Sequence, residues 1–187
     1  MRDILDIWPP LPLIVNGFKE GRASVNNTIA ALEHNDRVCQ IDLDGLTSSQ
    51  MRYVTDSAVM HKPFPELTDL RLGIPRDDGA GPVLPESFLG GTAPRLQSFD
   101  LLNISFLGLP KLLSSATHLV KLDLYTNPRY GYIPPEAMAT SLESLCLYFR
   151  YPRPPPALQS RHPPPPPLTR SILPSLTEIR FKGASEY

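Results

Sequence analysis

The sequence predicts an α/β protein in which short parallel strands alternate with short helical or 3₁₀ connectors. Three observations lead to this fold class. An apolar hexamer pattern recurs six times along the 187 residues. The repeats are spaced at near-regular intervals, and the early intervening segments carry apolar residues at helical spacing. Because each strand is followed by a crossover, all strands are expected to run the same way and to form a parallel sheet.

The hexamer has apolar residues at positions one, four and six, as in L-x-x-L-x-L. Positions four and six share one face of a strand, because side chains alternate along it. A strand this short cannot bury that face alone, so neighbouring repeats must share a core. The hexamers begin at positions 38, 67, 96, 119, 142 and 176, which gives intervals of 29, 29, 23, 23 and 34 residues. Most of these fall within the ~20–29 residue period of leucine-rich repeats. We therefore expect a leucine-rich-repeat-like solenoid of about six repeats.

The two ends of such a solenoid need caps, because a terminal repeat has a neighbour on one side only. Residues 1–23 are predicted to form an N-terminal cap and loop, with a capping strand over residues 11–15. Residues 24–187 are predicted to form the solenoid. The chain stops at Tyr187, six residues after the last hexamer. We therefore expect an exposed sheet edge there, which is an aggregation hazard.

The connectors shorten along the chain. Residues 24–34 are predicted to form a helix capped by Ser24, and residues 48–60 a second helix. A Thr47…Gln50 capping box precedes the second helix. The later connectors are interrupted by proline, so we expect single helical turns or 3₁₀ pieces there. Those connectors are residues 84–91 and 134–140.

A proline-rich segment, residues 151–167, separates the last two hexamers and explains the interval of 34 residues. Proline lacks an amide donor and fixes φ, so this segment is expected to be a loop insertion in polyproline II conformation. Arg161, Pro164 and Pro167 fit the R-x-x-P-x-x-P pattern that SH3-type grooves bind. The alternative is a low-complexity insertion that is tolerated because long surface loops cost little.

Charge and composition exclude several classes of protein. The chain carries 18 Lys and Arg against 19 Asp and Glu, a balance that argues against a nucleic-acid partner. It has no run of about 20 apolar residues and no secretory signal pattern, so no membrane association is expected and the compartment is predicted to be cytoplasmic or nuclear. Two cysteines and four scattered histidines do not have metal-ligand spacing. We expect no metal, no cofactor and no enzymatic activity.

The exposed strand positions predict a binding face. Leu102, Tyr125 and Tyr148 occupy position seven, directly after three successive hexamers. An exposed aromatic row of this kind is typical of a protein–protein interface. The alternative is that the following loops, such as residues 126–132, cover the rings.

Charged residues extend the same face. Asp100 and Asp123 occupy position five of neighbouring hexamers, and Arg71 occupies it in an earlier one. A close carboxylate pair can serve acid/base chemistry, but Arg71 and Lys121 are near enough to screen it. We therefore predict a solvated charge row that takes part in partner binding, with no catalytic residue.

Four phrases of the sequence resemble a known family. They are AALEHNDRVCQIDL (30–43), PELTDLRL (65–72), LPESFLGGTAPRL (84–96) and LLSSATHLVKLDL (112–124). The chain is similar, from about Trp8 to Tyr187, to the F-box/leucine-rich-repeat-like proteins of mushroom-forming basidiomycete fungi. The resemblance covers the repeat region alone, since nothing before the capping strand resembles an F-box. The asparagine expected at position nine of a standard leucine-rich repeat is found only at Asn127.

These observations predict a protein–protein interaction module. The family resemblance implies that it is the substrate-recognition part of an F-box-type ubiquitin-ligase receptor. A ubiquitin-ligase scaffold would then be a partner only if an F-box is supplied elsewhere. Two alternatives stay open: an adaptor that acts through its proline-rich loop, and a shortened family copy without a function of its own.

Overall fold

A computed structural model describes residues 11–17, 21–75, 81–126, 138, 141–149 and 173–182 of the chain. It is an α/β structure built on a seven-stranded sheet, with strands in the order β1-β2-β3-β5-β7-β8-β9. A separate two-stranded sheet consists of β4 (Val83–Leu84) and β6 (Ser105–Phe106). The strands of the main sheet are β1 (Leu13–Asn16), β2 (Val38–Asp44), β3 (Asp69–Gly73), β5 (Ser98–Leu102), β7 (Lys121–Thr126), β8 (Ser144–Phe149) and β9 (Glu178–Lys182).

Every strand pairing in the main sheet is parallel, as the sequence predicted. Each of the six hexamers contributes one strand, and the strands of consecutive hexamers lie side by side. From β2 to β9 the register does not slip, so equal hexamer positions are always neighbours. The predicted capping strand is also present, as β1, although its register shifts between Leu13 and Ile14. The alternation of apolar and polar residues is therefore sufficient to align the sheet.

The first predicted helix is present with different ends. Helix α1 (Gly21–Leu32) begins three residues before Ser24 and ends two residues before His34. The prediction that Ser24 is its N-cap is therefore wrong, because Ser24 lies inside the helix. Val25 and Leu32 of this helix are buried in the core.

The second predicted helix is confirmed at its start and shorter at its end. Helix α2 (Ser48–Thr55) has the expected capping box: the Gln50 amide donates to the Thr47 hydroxyl at 3.3 Å, and the Thr47 amide donates to the Gln50 side chain at 3.0 Å. The helix stops at Thr55 because both the amide and the hydroxyl of Ser57 donate to the Val54 carbonyl. A 3₁₀ turn, Ala58–His61, continues the connector.

The later connectors contain both expected and unexpected elements. The connector predicted to hold a helical turn or a 3₁₀ piece has a short, kinked helical stretch at Phe88–Gly91, in which Leu89 and Gly90 have left-handed backbone angles (φ of 55° and 65°). Helix α3 (Leu109–Ser115) and the β4–β6 pair were not predicted. In α3, Leu109, Leu112 and Leu113 are buried at helical spacing, which was the available signal. Of the predicted connector at 134–140, only residue 138 belongs to the described part of the chain.

The sheet has one covered face and one open face. Hexamer positions one, four and six pack with the connectors into a single apolar cluster, which includes Met51, Phe64 and Phe88. In β2 to β7 these positions are almost fully buried. Burial then decreases: Leu147 is partly buried, whereas Ile179 and Phe181 of β9 are 66% and 58% exposed. Positions three, five and seven form the opposite face, which we call the open face.

Candidate functional site: the open face of the sheet

Three parallel rows of side chains cross the open face, because the register is the same at every strand. Neighbouring members of a row are separated by the strand spacing, about 4.8 Å. The rows, from β2 to β9, are Gln40, Asp69, Ser98, Lys121, Ser144 and Glu178 at position three; Asp42, Arg71, Asp100, Asp123, Cys146 and Arg180 at position five; and Asp44, Gly73, Leu102, Tyr125, Tyr148 and Lys182 at position seven.

The position-seven row brings the predicted apolar residues together. Leu102 is the register neighbour of Tyr125, which is the neighbour of Tyr148. The two tyrosine rings lie 5.7 Å apart between centroids and are tilted by 31°, a favourable offset arrangement. All three side chains are partly exposed. Residues 127–132, the loop predicted as an alternative cover, lie outside the described residues.

Lys182 and Cys146 hold the aromatic row in place. The Lys182 ammonium lies 4.9 Å from the centroid of the Tyr148 ring, within cation–π range. The Cys146 sulfur and the Tyr125 hydroxyl oxygen form a hydrogen bond of 3.3 Å. This contact, followed by burial and by the negative charges of Asp123 and Asp100, opposes ionisation of the phenol and raises the pKa of Tyr125 to about 12. Tyr125 is therefore a neutral phenol at any physiological pH, and its side chain is partly exposed.

The predicted charge row is an ion-pair network. Arg71 bridges two carboxylates, with its Nη2 2.7 Å from Asp44 and its Nε 3.7 Å from Asp100. Lys121 lies 3.0 Å from Asp123. Asp100 and Asp123 are register neighbours, as the sequence predicted. The screening that was expected from Arg71 and Lys121 is thus present in the structure.

The carboxylates of Asp100 and Asp123 differ in how well nearby cations balance their negative charge. Asp123 is buried and tightly paired, and its hydrogen bond raises the pKa of Lys121. Burial raises the pKa of Asp100; the Arg71 guanidinium acts against this rise, and the Asp123 carboxylate adds to it. Asp100 is therefore a partly desolvated carboxylate whose nearest cation is also engaged by Asp44.

A hollow of about 270 Å³ lies beside this network. Its lining has carboxylates, two cations and neutral polar groups, so it suits a polar or charged side chain of a partner. In the described residues no three His, Cys, Asp or Glu side chains are placed to hold a metal ion. The lining residues are Asn16, Gln40, Ile41, Asp42, Asp69, Leu70, Arg71, Ser98, Asp100 and Lys121.

A second hollow, of about 440 Å³, lies away from the open face between α1 and α2. It is lined by Val25, Asn26, Ser49, Gln50 and the exposed Tyr53. Sequence reasoning missed it, because the only signal is an aromatic residue outside the apolar face of a helix. The described residues of its lining carry no charged group.

The remaining predicted site residues are not placed. Arg161, Pro164 and Pro167, the proposed SH3-binding residues, lie outside the described residues, so the proline-loop prediction stays untested. Cys39 and Cys146 are both free thiols.

Comparison with protein-family models, curated proteins and solved structures gave no match to this chain. No helix in the described segments is both long and apolar enough to cross a bilayer. The geometry of the open face is thus the basis for any functional proposal.

Proposed function

We propose that this chain is a leucine-rich-repeat-like solenoid whose open sheet face binds another protein. The observation that carries the proposal is the partly exposed row of Leu102, Tyr125 and Tyr148, which is aligned across three strands. Tyrosine provides a large, rigid contact area at a low entropic cost and is enriched at binding hot spots.

The charges around the Leu102, Tyr125 and Tyr148 row indicate the chemistry of a partner that would complement this surface. The open face of β2 to β7 has five carboxylates (Asp42, Asp44, Asp69, Asp100 and Asp123) against the two cations Arg71 and Lys121. A partner segment with a basic side chain for the hollow and an apolar side chain for the tyrosines would complement this surface. The same acidic excess disfavours a phosphate backbone.

A protein-binding face suits a substrate receptor. We include in the proposal a role as the substrate-recognition part of an F-box-type ubiquitin ligase, acting in the cytoplasm or nucleus. The resemblance of the four sequence phrases to the fungal F-box/leucine-rich-repeat-like family supports this role. The chain would then need an F-box from elsewhere to reach the ligase scaffold.

The test of the binding face is quantitative affinity capture from a basidiomycete lysate with three versions of the full chain. These are the wild type, the double variant Tyr125→Ala/Tyr148→Ala, and the control Tyr53→Ala, which removes an exposed tyrosine on α2, off the open face. Thermal denaturation first checks that all three are folded.

We expect proteins that the wild type and the control capture to be lost from the double variant. Removing one aromatic hot spot costs about 2 kcal/mol, so binding should weaken about 30-fold or more. Capture of the same proteins by all three chains would contradict the use of the open face. The ligase role has its own test: fusing an F-box to the chain should shorten the lifetime of a captured protein in cells, and an unchanged lifetime would contradict that role alone.

A further inference from the structure

Two carboxylates that line the hollow of the open face have no cation to balance them. They are Asp42, at position five of β2, and Asp69, at position three of β3. The Asp44 amide donates to Asp42 at 3.1 Å. The side chains of Gln40 and Thr68 donate to one oxygen of Asp69, at 3.2 and 2.7 Å. Among the described residues, neither Asp42 nor Asp69 is in an ion pair, and the neutral donors leave both negative charges in place.

The two cations that line the hollow are each paired with a carboxylate outside the lining. The Arg71 Nη2 lies 2.7 Å from Asp44, and the Lys121 Nζ lies 3.0 Å from Asp123. Neither Asp44 nor Asp123 lines the hollow. Asp42 is the register neighbour of Arg71 at position five, and the guanidinium extends instead towards position seven. The contact with Asp44 therefore preserves the negative charge of the hollow.

Gly73 gives Asp44 the room to hold Arg71. It is the register neighbour of Asp44 at position seven. A Cβ atom on Gly73 would overlap Oδ1 of Asp44, whose other oxygen contacts Arg71. Its contact with Leu102 would be an ordinary 3.4 Å, and Gly73 is not among the glycines with positive φ. Glycine is thus required here for the space that the Asp44 carboxylate fills, and not for the backbone conformation.

We propose that Gly73 and Asp44 are positioning residues that decide what the hollow binds. They hold Arg71 away from Asp42, and so reserve the hollow for a cationic side chain, lysine or arginine, of a partner protein. Without the Asp44 contact, Arg71 turns to Asp42 and competes with that cation from within the same chain. The source of the cation rests on the function proposed for the open face, whereas the position of Arg71 does not.

The first measurement uses N-acetyl-arginine N-methylamide, which carries the cation without the rest of a partner. Amide NMR spectra of the full chain are followed while this probe is added to about 50 mM, and we expect saturating shifts in β2, β3 and β5 with a Kd of about 1–10 mM. The citrulline analogue has the same shape without the charge and is added at equal ionic strength. It should give no saturating shift. Equal responses to the two compounds, or no response to arginine, would overturn the proposal.

The carboxylates are tested by Asp42→Asn/Asp69→Asn, which keeps the hydrogen-bond acceptors and removes two charges. Binding of the arginine probe should weaken about tenfold. The control is Asp36→Asn/Asp56→Asn, which makes the same change in net charge at two exposed sites outside the main sheet. It should bind the probe as the wild type does. An equal loss in both variants would mean that net charge, and not the hollow, attracts the probe.

The positioning role is tested by a variant that removes no charge. Gly73→Ala displaces the Asp44 carboxylate, so Arg71 should enter the hollow and weaken probe binding about fivefold. Asp44→Asn weakens the hold on Arg71 without a change in strand packing and should act in the same direction. Arg71→Gln removes the competing cation and should tighten probe binding.

The decisive comparison combines these changes in a double-mutant cycle. Gly73→Ala should have little effect on probe binding in the Arg71→Gln background, because the competing guanidinium is absent. A purely structural defect at Gly73 would weaken binding equally in both backgrounds, and that result would overturn the positioning role. The amide spectra of each variant show whether the chain is folded.

Failure of the proposed function has a different signature. Proteins whose capture needs Tyr125 and Tyr148 should also be lost from Asp42→Asn/Asp69→Asn. If that variant captures them as the wild type does, the open face binds without the hollow, and only the present inference is overturned. If no captured protein depends on the two tyrosines, the proposed function fails, and the arginine titration still decides whether the hollow binds a cation.

Discussion

Strands β2 and β9 carry the same apolar pattern and the same register, but their core side chains have opposite environments. Ile41 in β2 is 1% exposed and belongs to the same buried cluster as Leu32 of α1, Met51 of α2 and Met60 of the following 3₁₀ turn, which are fully buried. Ile179 in β9 is exposed, and among the described residues no helix or 3₁₀ turn follows β8. The comparison separates two properties of a strand: its alignment in the sheet and the burial of its apolar side chains.

Alignment in the sheet needs only the strand pattern and a neighbour to pair with. Burial needs a second layer, and that layer is encoded by the connectors. Stability should therefore be concentrated in β2 to β7, with the last two strands contributing less. The following experiments test this difference in stability between the two regions.

The largest effect should come from the same substitution at equal positions of the two strands. Ile41→Ala empties a fully buried site and should lower the free energy of unfolding by about 2–5 kcal/mol. Ile179→Ala removes an exposed side chain and should cost less than about 1 kcal/mol. Urea denaturation of dilute protein measures both. Equal losses in the two variants would show that β9 is buried by something in solution.

The next effect concerns the turn after β5, in the well-packed region. Asn103 has a φ of 58°, and its side-chain amide donates to the Ile74 carbonyl at 3.0 Å. Asn103→Ala loses this bond and keeps an unfavourable left-handed conformation, so we expect a loss of about 1–2 kcal/mol.

Asn103→Gly is the matched control, because glycine adopts positive φ freely. It should be less destabilising than Asn103→Ala in thermal denaturation. The opposite order would mean that the backbone conformation at Asn103 does not contribute to stability.

A third prediction concerns the junction between the two regions, where β7 meets β8. Removing the thiol in Cys146→Ala should lower the pKa of Tyr125 from about 12 towards its ordinary value of 10.0. Titration of tyrosine by ultraviolet absorbance measures this change. Tyr125→Phe identifies the signal, since it should remove the late-ionising tyrosine altogether. An unchanged late ionisation in Cys146→Ala would contradict the hydrogen bond.

The smallest effect should be a pH dependence at Asp100. Burial raises the pKa of Asp100 in the folded chain, so its charged form is disfavoured there relative to the unfolded chain. This cost is present above the raised pKa and disappears as pH falls through it towards 3.8. Asp100→Asn should therefore be slightly more stable than the wild type at neutral pH. Melting temperatures measured against pH should show this advantage shrinking on acidification; an advantage that grows instead would contradict it.

The strands were predictable from the sequence because their signal is local. Period-two alternation over six residues, repeated six times, specifies both strand and register. The connectors were less predictable because their ends depend on competing local hydrogen bonds. The Val54 carbonyl, for instance, accepts from both donors of Ser57 and so ends α2 early. Nothing in the apolar spacing of residues 48–60 signals that competition.

The sequence pattern predicts which side chains of the candidate site lie side by side. It does not predict the contacts between those side chains. Equal hexamer positions had to be neighbours, which placed Leu102, Tyr125 and Tyr148 together in advance. The bond from Cys146 to Tyr125 and the hollow beside Asp100 depend on side-chain rotamers, which the pattern does not encode. The exposure of Ile179 depends on which residues pack over it, and the hexamer pattern carries no information about those residues.

The unslipped register has a geometrical consequence for anything that crosses the open face. Side chains of one row repeat at the strand spacing, about 4.8 Å, whereas same-face residues of an extended chain repeat at about 6.7 Å. An α-helix advances 5.4 Å per turn. A helix that crosses the strands along the Leu102, Tyr125 and Tyr148 row therefore drifts by only about 0.6 Å per strand. Side chains on one face of such a helix therefore stay aligned with the side chains of the row over about four strands. Side chains of an extended segment lose that alignment after one or two strands.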